Sequence, residues 1–239
     1  REPASRIFLN HTVEIPPQTH VIRKNLILAG SAFNIPLMNG DIEFPIFTEE
    51  RHRMESEQIV AQTNGNFAIL NPAGGWVTKL WPAERFGQLA DVLWEDHGLH
   101  SVVAIGPDDT QLGEQALAAS RSGRTTLAKP SLKGFFELAR RARVYVGGDT
   151  GPTHLAIAAG SPVVGIFGPT EWWRNGSLSS SDICVERTDI DCRVDCHRRT
   201  CSNWICMDIS VERVRTAVAE RLGQKNPAHQ ASKLPVMTS

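Results

Sequence analysis

Apolar residues are distributed along this chain in two different ways. Before residue 56 they are sparse and irregular, and Pro3, Pro16, Pro17, Pro36 and Pro45 interrupt them, so the pattern predicts only one helix, over Thr19–Ala29. From Asn66 onward the pattern becomes regular. The short apolar run Phe67-Ala68-Ile69-Leu70 stops at Asn71-Pro72-Ala73-Gly74-Gly75, which predicts a strand and a Gly-rich turn. Pro82 then sits at a helix start, and Phe86, Leu89, Ala90, Leu93 and Trp94 recur at spacings of three and four up to Gly98. The unit repeats as a strand over 101–105, a turn at Gly106–Asp109 and a helix over 110–120. A short strand follows at Leu127, then a helix capped by Ser131 and carrying Leu132, Phe135, Phe136 and Leu138. Strand 144–146 ends in Gly147-Gly148-Asp149-Thr150-Gly151. A helix over 152–159, a strand over 163–167 and a last helix capped by Ser210 complete the series. Near-continuous apolar strands alternating with amphipathic helices predict an α/β fold, a Rossmann-like parallel sheet with helices on both faces. The reading divides the chain into an irregular stretch 1–65, a domain at 66–223 and a loose tail at 224–239.

Composition narrows the classes. The 239 residues include 41% hydrophobic positions, and 25 Lys+Arg stand against 26 Asp+Glu, giving a net charge of -1. That balance describes a globular domain and removes the broad electrostatic case for nucleic acid. No apolar run approaches the roughly 18 residues of a membrane span. Arg1 opens the chain with no signal-like segment behind it, which points to a cytoplasmic fragment or processed product.

Open parallel sheets bind ligands beyond the carboxyl ends of their strands, and three polar turns fall there. The first holds Gly74 and Gly75, whose backbone N–H groups an anion can approach, followed by Thr78 and Lys79, a phosphate candidate. The second, Asp149-Thr150-Gly151-Pro152-Thr153-His154, places a carboxylate, hydroxyls and an imidazole on a strand-to-helix junction whose N–H groups attract anions. Its plain alternative is that Asp149 only caps the helix. The third is Gly168-Pro169-Thr170-Glu171. Neither GxxxxGK[ST] nor GxGxxG occurs.

Cys192, Cys196, Cys201 and Cys206 follow one another with three, four and four intervening residues. A structural zinc site with His197 as a spare ligand, disulfides, and free thiols all remain open. Arg193, Arg198 and Arg199 interleave with these cysteines and could meet a phosphorylated acceptor, or form a solvated face.

Together, Asn71–Gly74 with Lys79-Leu80-Trp81-Pro82, then Asp149–Leu155, then Phe167–Thr170 resemble, in order and spacing, the carboxyl-terminal half of glycosyltransferase family 9, the heptosyltransferases of lipopolysaccharide synthesis. The cysteine series resembles a segment found in many members. The resemblance implies the carboxyl-terminal domain of a GT-B fold, with residues 1–65 as interdomain connector and remnant of the amino-terminal domain. It implies an inverting, metal-independent transferase, this chain supplying the half that binds an ADP-sugar. The acceptor would be a lipid-linked, lipopolysaccharide-core-like oligosaccharide, at the inner face of the inner membrane with peripheral membrane contact. By position, Lys79 would bind the diphosphate, Asp149 the sugar hydroxyls, and Thr150, Gly151 and His154 the phosphates. Asp108 would lie near the ribose, and Pro130-Ser131 near the base. Gly74 and Gly75 would give backbone contacts, and Lys79 and His154 would act in catalysis. The competing expectation from a different class is a non-catalytic nucleotide-sugar-binding or zinc-stabilised interaction domain.

Overall fold

The computed structural model describes residues 7–36, 42–193 and 196–223. The tail assigned to 224–239 lies outside the described residues. The described residues form two compact units, one of 7–36 and Ile42 with Trp173–Asn175, the other of the remaining described residues from Glu43. In the first unit, helix α1 spans Val21–Phe33, displaced towards the carboxyl end from the expected 19–29. Its N-cap is His20, whose Nδ1 accepts from the Ile22 N–H, and Asn34 ends it in the left-handed conformation.

The second unit is the sheet. Six strands, β1 (Phe67–Asn71), β2 (His100–Ala104), β3 (Thr125–Ala128), β4 (Val144–Gly148), β5 (Val163–Phe167) and β6 (Ile183–Glu186), pair in the order β3-β2-β1-β4-β5-β6. Every pairing is parallel. Helices α3 (Ala83–His97), α4 (Thr110–Ala119), α5 (Leu132–Ala139) and α6 (Gly151–Ala158) follow in chain order, then the single-turn α7 (Trp172–Asn175), whose last three residues count with the first unit, and α8 (Val211–Gly223). The expected parallel α/β fold is therefore present.

Side chains alternate along each strand, and this alternation makes two cores. Ala68, Leu70, Val103, Val144, Val146, Val164 and Ile166 face one side, where they meet Phe86, Leu89 and Leu93 of α3 and Val214 and Val218 of α8. Phe67, Ile69, Val102, Ala104, Tyr145 and Val163 face the other, where Phe135 and Leu138 of α5 and Ala156 of α6 cover them. Gly87 lets α3 and α4 approach so closely that a Cβ there would collide with the Ala116 carbonyl.

Two elements differ from the pattern. Strand β6 is an addition, four residues on the sheet edge with only Val185 fully buried. A second helix before the sheet, α2 (Glu50–Val60), corrects the expectation of a single helix in the early segment. It packs on α5, and Thr48 donates to the Glu137 carboxylate. The stretch from Glu43 therefore belongs with the sheet's unit.

Candidate functional site at the carboxyl edge of the sheet

The strand order reverses between β1 and β4, where Asn71 is in register with Gly147, and the turns leaving these two strands flank the switch point. Lys79 comes from the first turn and Asp149 from the second. Lys79 Nζ lies 2.7 Å from Asp149 Oδ2 and also donates to the Asp149 carbonyl at 3.3 Å. The side chains are 13% and 6% exposed, so the pair is largely out of water. His154 approaches from α6, its Nε2 3.5 Å from Asp149 Oδ1, with half its side chain exposed.

Burial pushes the Asp149 carboxyl upward. The contacts of His154 and Lys79, with the charge of Lys79, outweigh it and hold the group well below the usual carboxylate range. A carboxyl depressed on folding stabilises the fold fully above its unfolded value of about 3.9 and loses that contribution as pH falls through the folded value. The stability gap between wild type and Asp149→Asn is therefore expected to stay level from pH 7 to about 5 and to narrow below about pH 4. Urea unfolding at a series of pH values measures it, and a gap constant down to pH 3 would contradict the depressed carboxyl.

Asp149 is not the helix cap. Thr150 holds the N-cap position of α6 with an extended backbone, and its side chain makes no capping hydrogen bond. A buried network fixes the turn from beneath: Thr153 Oγ1 bonds the Gly148 carbonyl and lies 2.9 Å from Tyr145 OH and 3.2 Å from Thr150 Oγ1. The first turn of α6 thus presents N–H groups to the crevice beside Lys79.

The remaining predicted residues sort by position. Gly74 and Gly75 lie on the β1 turn, and a Cβ on Gly75 would meet nothing within 4 Å, so its backbone borders open space. Asp108 is exposed on the turn after β2. Ser131 caps α5, accepting from the Gly134 N–H at 3.1 Å, while its own N–H and hydroxyl donate to the Glu55 carboxylate. The Thr78 hydroxyl is committed elsewhere, donating to the Arg198 carbonyl at 2.6 Å. Along the edge, Ser131, Asp108, Gly75 with Lys79, Asp149 and Thr170 leave β3, β2, β1, β4 and β5 in spatial order. Two neighbours carried no sequence signal: Glu55 from α2, and Trp76, whose ring lies under Lys79 with Nζ 4.2 Å from its centroid.

Cys192, Cys196, Cys201 and Cys206 line one small cavity with Thr78 and Arg198. All five cysteines are free thiols, and among the described residues no three His, Cys, Asp or Glu side chains form a metal-holding group. Arg193 is no surface cation: it is buried against Glu186 and Glu171, and its Nε donates to the Gly168 carbonyl at 3.2 Å. None of the helices among the described residues is long and apolar enough to cross a membrane.

Residues 1–205 match the family model described as glycosyltransferase family 9 (heptosyltransferase). Lipopolysaccharide heptosyltransferase 1 of Pseudomonas aeruginosa is 26% identical over 205 residues, covering 84% of this chain and 54% of that protein. Lipopolysaccharide heptosyltransferase 3 of Escherichia coli is 29% identical over 162 residues, covering 65% and 47%. The chain thus spans about half the length of the curated relatives it matches. A solved glycosyltransferase family 9 structure from Veillonella parvula superposes with a TM-score of 0.74 at 19% identity, covering 92% of this chain and 64% of that one. An Escherichia coli heptosyltransferase solved with ADP gives 0.66 at 19% identity, covering 92% and 62%. At these identities the likeness establishes the fold.

Proposed function

The chain belongs to glycosyltransferase family 9, and from that premise we propose that it is the donor-binding half of an inverting heptosyltransferase. In this reading a heptose or related sugar moves from an ADP-sugar to a lipid-linked, lipopolysaccharide-core-like acceptor. The protein works in the cytoplasm, in peripheral contact with the inner face of the inner membrane. The residues ahead of Glu43 connect to an acceptor-binding half, and those from Glu43 to 223 hold the donor. The observation that supports the assignment most is the Lys79–Asp149 pair, set at the switch point beside the N-terminus of α6.

Displacement at an anomeric carbon leaves negative charge on the departing diphosphate. A fixed cation and helix-terminal N–H groups stabilise that charge most as the bond breaks, which is the condition for catalysis rather than mere binding. Lys79 supplies the cation, and the backbone N–H groups of Thr150 and Gly151 supply the dipoles, so the reading assigns this work to the protein without a required cofactor. Asp149 holds Lys79 in place and presents its carboxylate oxygens to sugar hydroxyls, while His154 contacts the phosphates from the flank. The order of turns along the edge suits an extended donor: base near Ser131, ribose near Asp108, diphosphate at Gly75, Lys79 and Gly151. A general base for the acceptor hydroxyl belongs to the other half.

Calorimetric titration with ADP, ADP-heptose and UDP tests the reading. ADP and ADP-heptose are expected to bind and UDP to bind more weakly. Absence of ADP binding at millimolar concentration would remove the donor-site assignment.

A further inference from the structure

The charges around the switch point do not balance for an anionic ligand. Lys79 is already matched by the Asp149 carboxylate. At the adjoining β5 turn, one buried guanidinium, that of Arg193, is shared by two carboxylates, Glu171 and Glu186. A diphosphate adds more negative charge to a crevice with no surplus cation in these pairs, at a depth where charge is poorly screened.

A second cation stands beside Lys79. The Arg199 guanidinium carbon lies 5.2 Å from the centroid of the Trp76 ring, which also carries Lys79 Nζ at 4.2 Å. Trp76 sits between Gly75 and Lys79 on the β1 turn, so its indole holds both charges at the mouth of the crevice. The loop bearing Arg199 is fastened on two sides. Thr78 Oγ1 donates to the Arg198 carbonyl at 2.6 Å, and Trp204 Nε1 donates to the Thr78 carbonyl at 3.0 Å. On the other side, the His197 N–H donates to the Pro169 carbonyl at 3.0 Å. The two arginines divide their surroundings: Arg198 lines the thiol cavity, while Arg199 is exposed against Trp76.

We propose that Arg199 is the second cation of the diphosphate site, binding the donor's phosphate oxygens from the face of Trp76 together with Lys79. The inference rests on the donor-binding reading above. A planar guanidinium can meet two phosphate oxygens at once, and stacking on the indole orients it before the ligand arrives. In this arrangement the cysteine-bearing loop has a direct task, holding that guanidinium at the β1 turn.

The test titrates ADP, AMP and adenosine into the wild-type chain, Arg199→Ala and Arg199→Lys, each at several salt concentrations. Arg199→Ala is expected to weaken ADP roughly tenfold to hundredfold, AMP less and adenosine not at all, with a shallower salt dependence. The lysine variant should recover part of the loss, as should millimolar guanidinium ion added to the alanine variant. Thermal midpoints should stay together, because the side chain is exposed. Wild type binding ADP while Arg199→Ala binds it equally well would overturn the proposal alone. Equal weakening of all three ligands would also overturn it, showing a structural role. Failure of the wild-type chain to bind ADP would instead overturn the donor-binding reading.

Discussion

Replacing Lys79 by alanine is expected to damage the fold and the ligand site together, and the two effects can be separated. In the intact protein the Asp149 carboxylate is 6% exposed and paired with the Lys79 ammonium at 2.7 Å. Removing the ammonium leaves a buried carboxylate with the partial support of His154. Breaking a buried pair by deleting one partner costs about 3–5 kcal/mol, which for a chain of this size lowers the thermal midpoint by roughly 6–20 °C. Removing both members is cheaper than the singles predict, since no stranded charge remains. The double variant Lys79→Ala/Asp149→Ala should therefore be more stable than the sum of the single losses allows, and a thermodynamic cycle measures the coupling. Additive losses would show that the pair is electrostatically idle. Ligand binding gives the second readout: ADP affinity should fall by about 1.5–3 kcal/mol in Lys79→Ala, the range for a lost charge-assisted hydrogen bond. Unchanged ADP affinity would remove Lys79 from the diphosphate site whatever happens to stability.

The parts of this arrangement that could be read in the sequence are those where local chemistry and global fold agree. Strands buried on both faces must be apolar throughout, and Phe67–Leu70, Val144–Val146 and Val163–Phe167 are. The turns that end them carry Gly, Asp and Thr, residue types suited to a ligand edge, which is why Lys79 and Asp149 could be placed in one crevice before their contact was visible. Their pairing could not be read, because sequence does not say which strands adjoin, and the phosphate and sugar roles were assigned to them separately. Helix α2 was illegible for a different reason. Its buried stripe, His52, Ser56 and Val60, has helical spacing but is mostly polar, so a search for apolar periodicity passes over it. Its capping box also runs through Glu49 and His52 rather than the usual hydroxyl and carboxylate residues. Missing α2 concealed Glu55, which reaches across to Ser131 through contacts 76 residues apart in sequence. Strand β6 escaped because four half-covered residues on an edge give neither a clean alternation nor an apolar run. The arginines at 193 and 199 show the same limit. Identical side chains six residues apart become a buried structural cation and an exposed one, and only the packing of the loop distinguishes them.

The 239 residues by themselves are expected to bind the donor without transferring its sugar. The chain spans about half the length of the curated relatives it matches, and the proposed division of labour leaves it with leaving-group stabilisation but no acceptor platform and no general base. Those two absences act on different terms of the barrier. Alignment of two reactants is worth about 7–11 kcal/mol in favourable cases, and general-base assistance contributes roughly 10²–10⁴-fold. Loss of both should suppress turnover far beyond what deleting any one side chain of the crevice does, while affinity for ADP survives, because the residues assigned to it all leave the sheet described above. Supplying an acceptor-binding half from a family member, covalently joined ahead of residue 1 at the proposed connector, should restore transfer to a lipopolysaccharide-core acceptor, and Lys79→Arg in that joined protein should retain more activity than Lys79→Ala. Transfer by the 239 residues alone, at a rate comparable to that of full two-domain relatives, would place the acceptor site and the base within this unit and overturn the division. If the joined protein binds ADP and acceptor yet stays inactive, the crevice at Lys79 and Asp149 is a binding site and not a catalytic one.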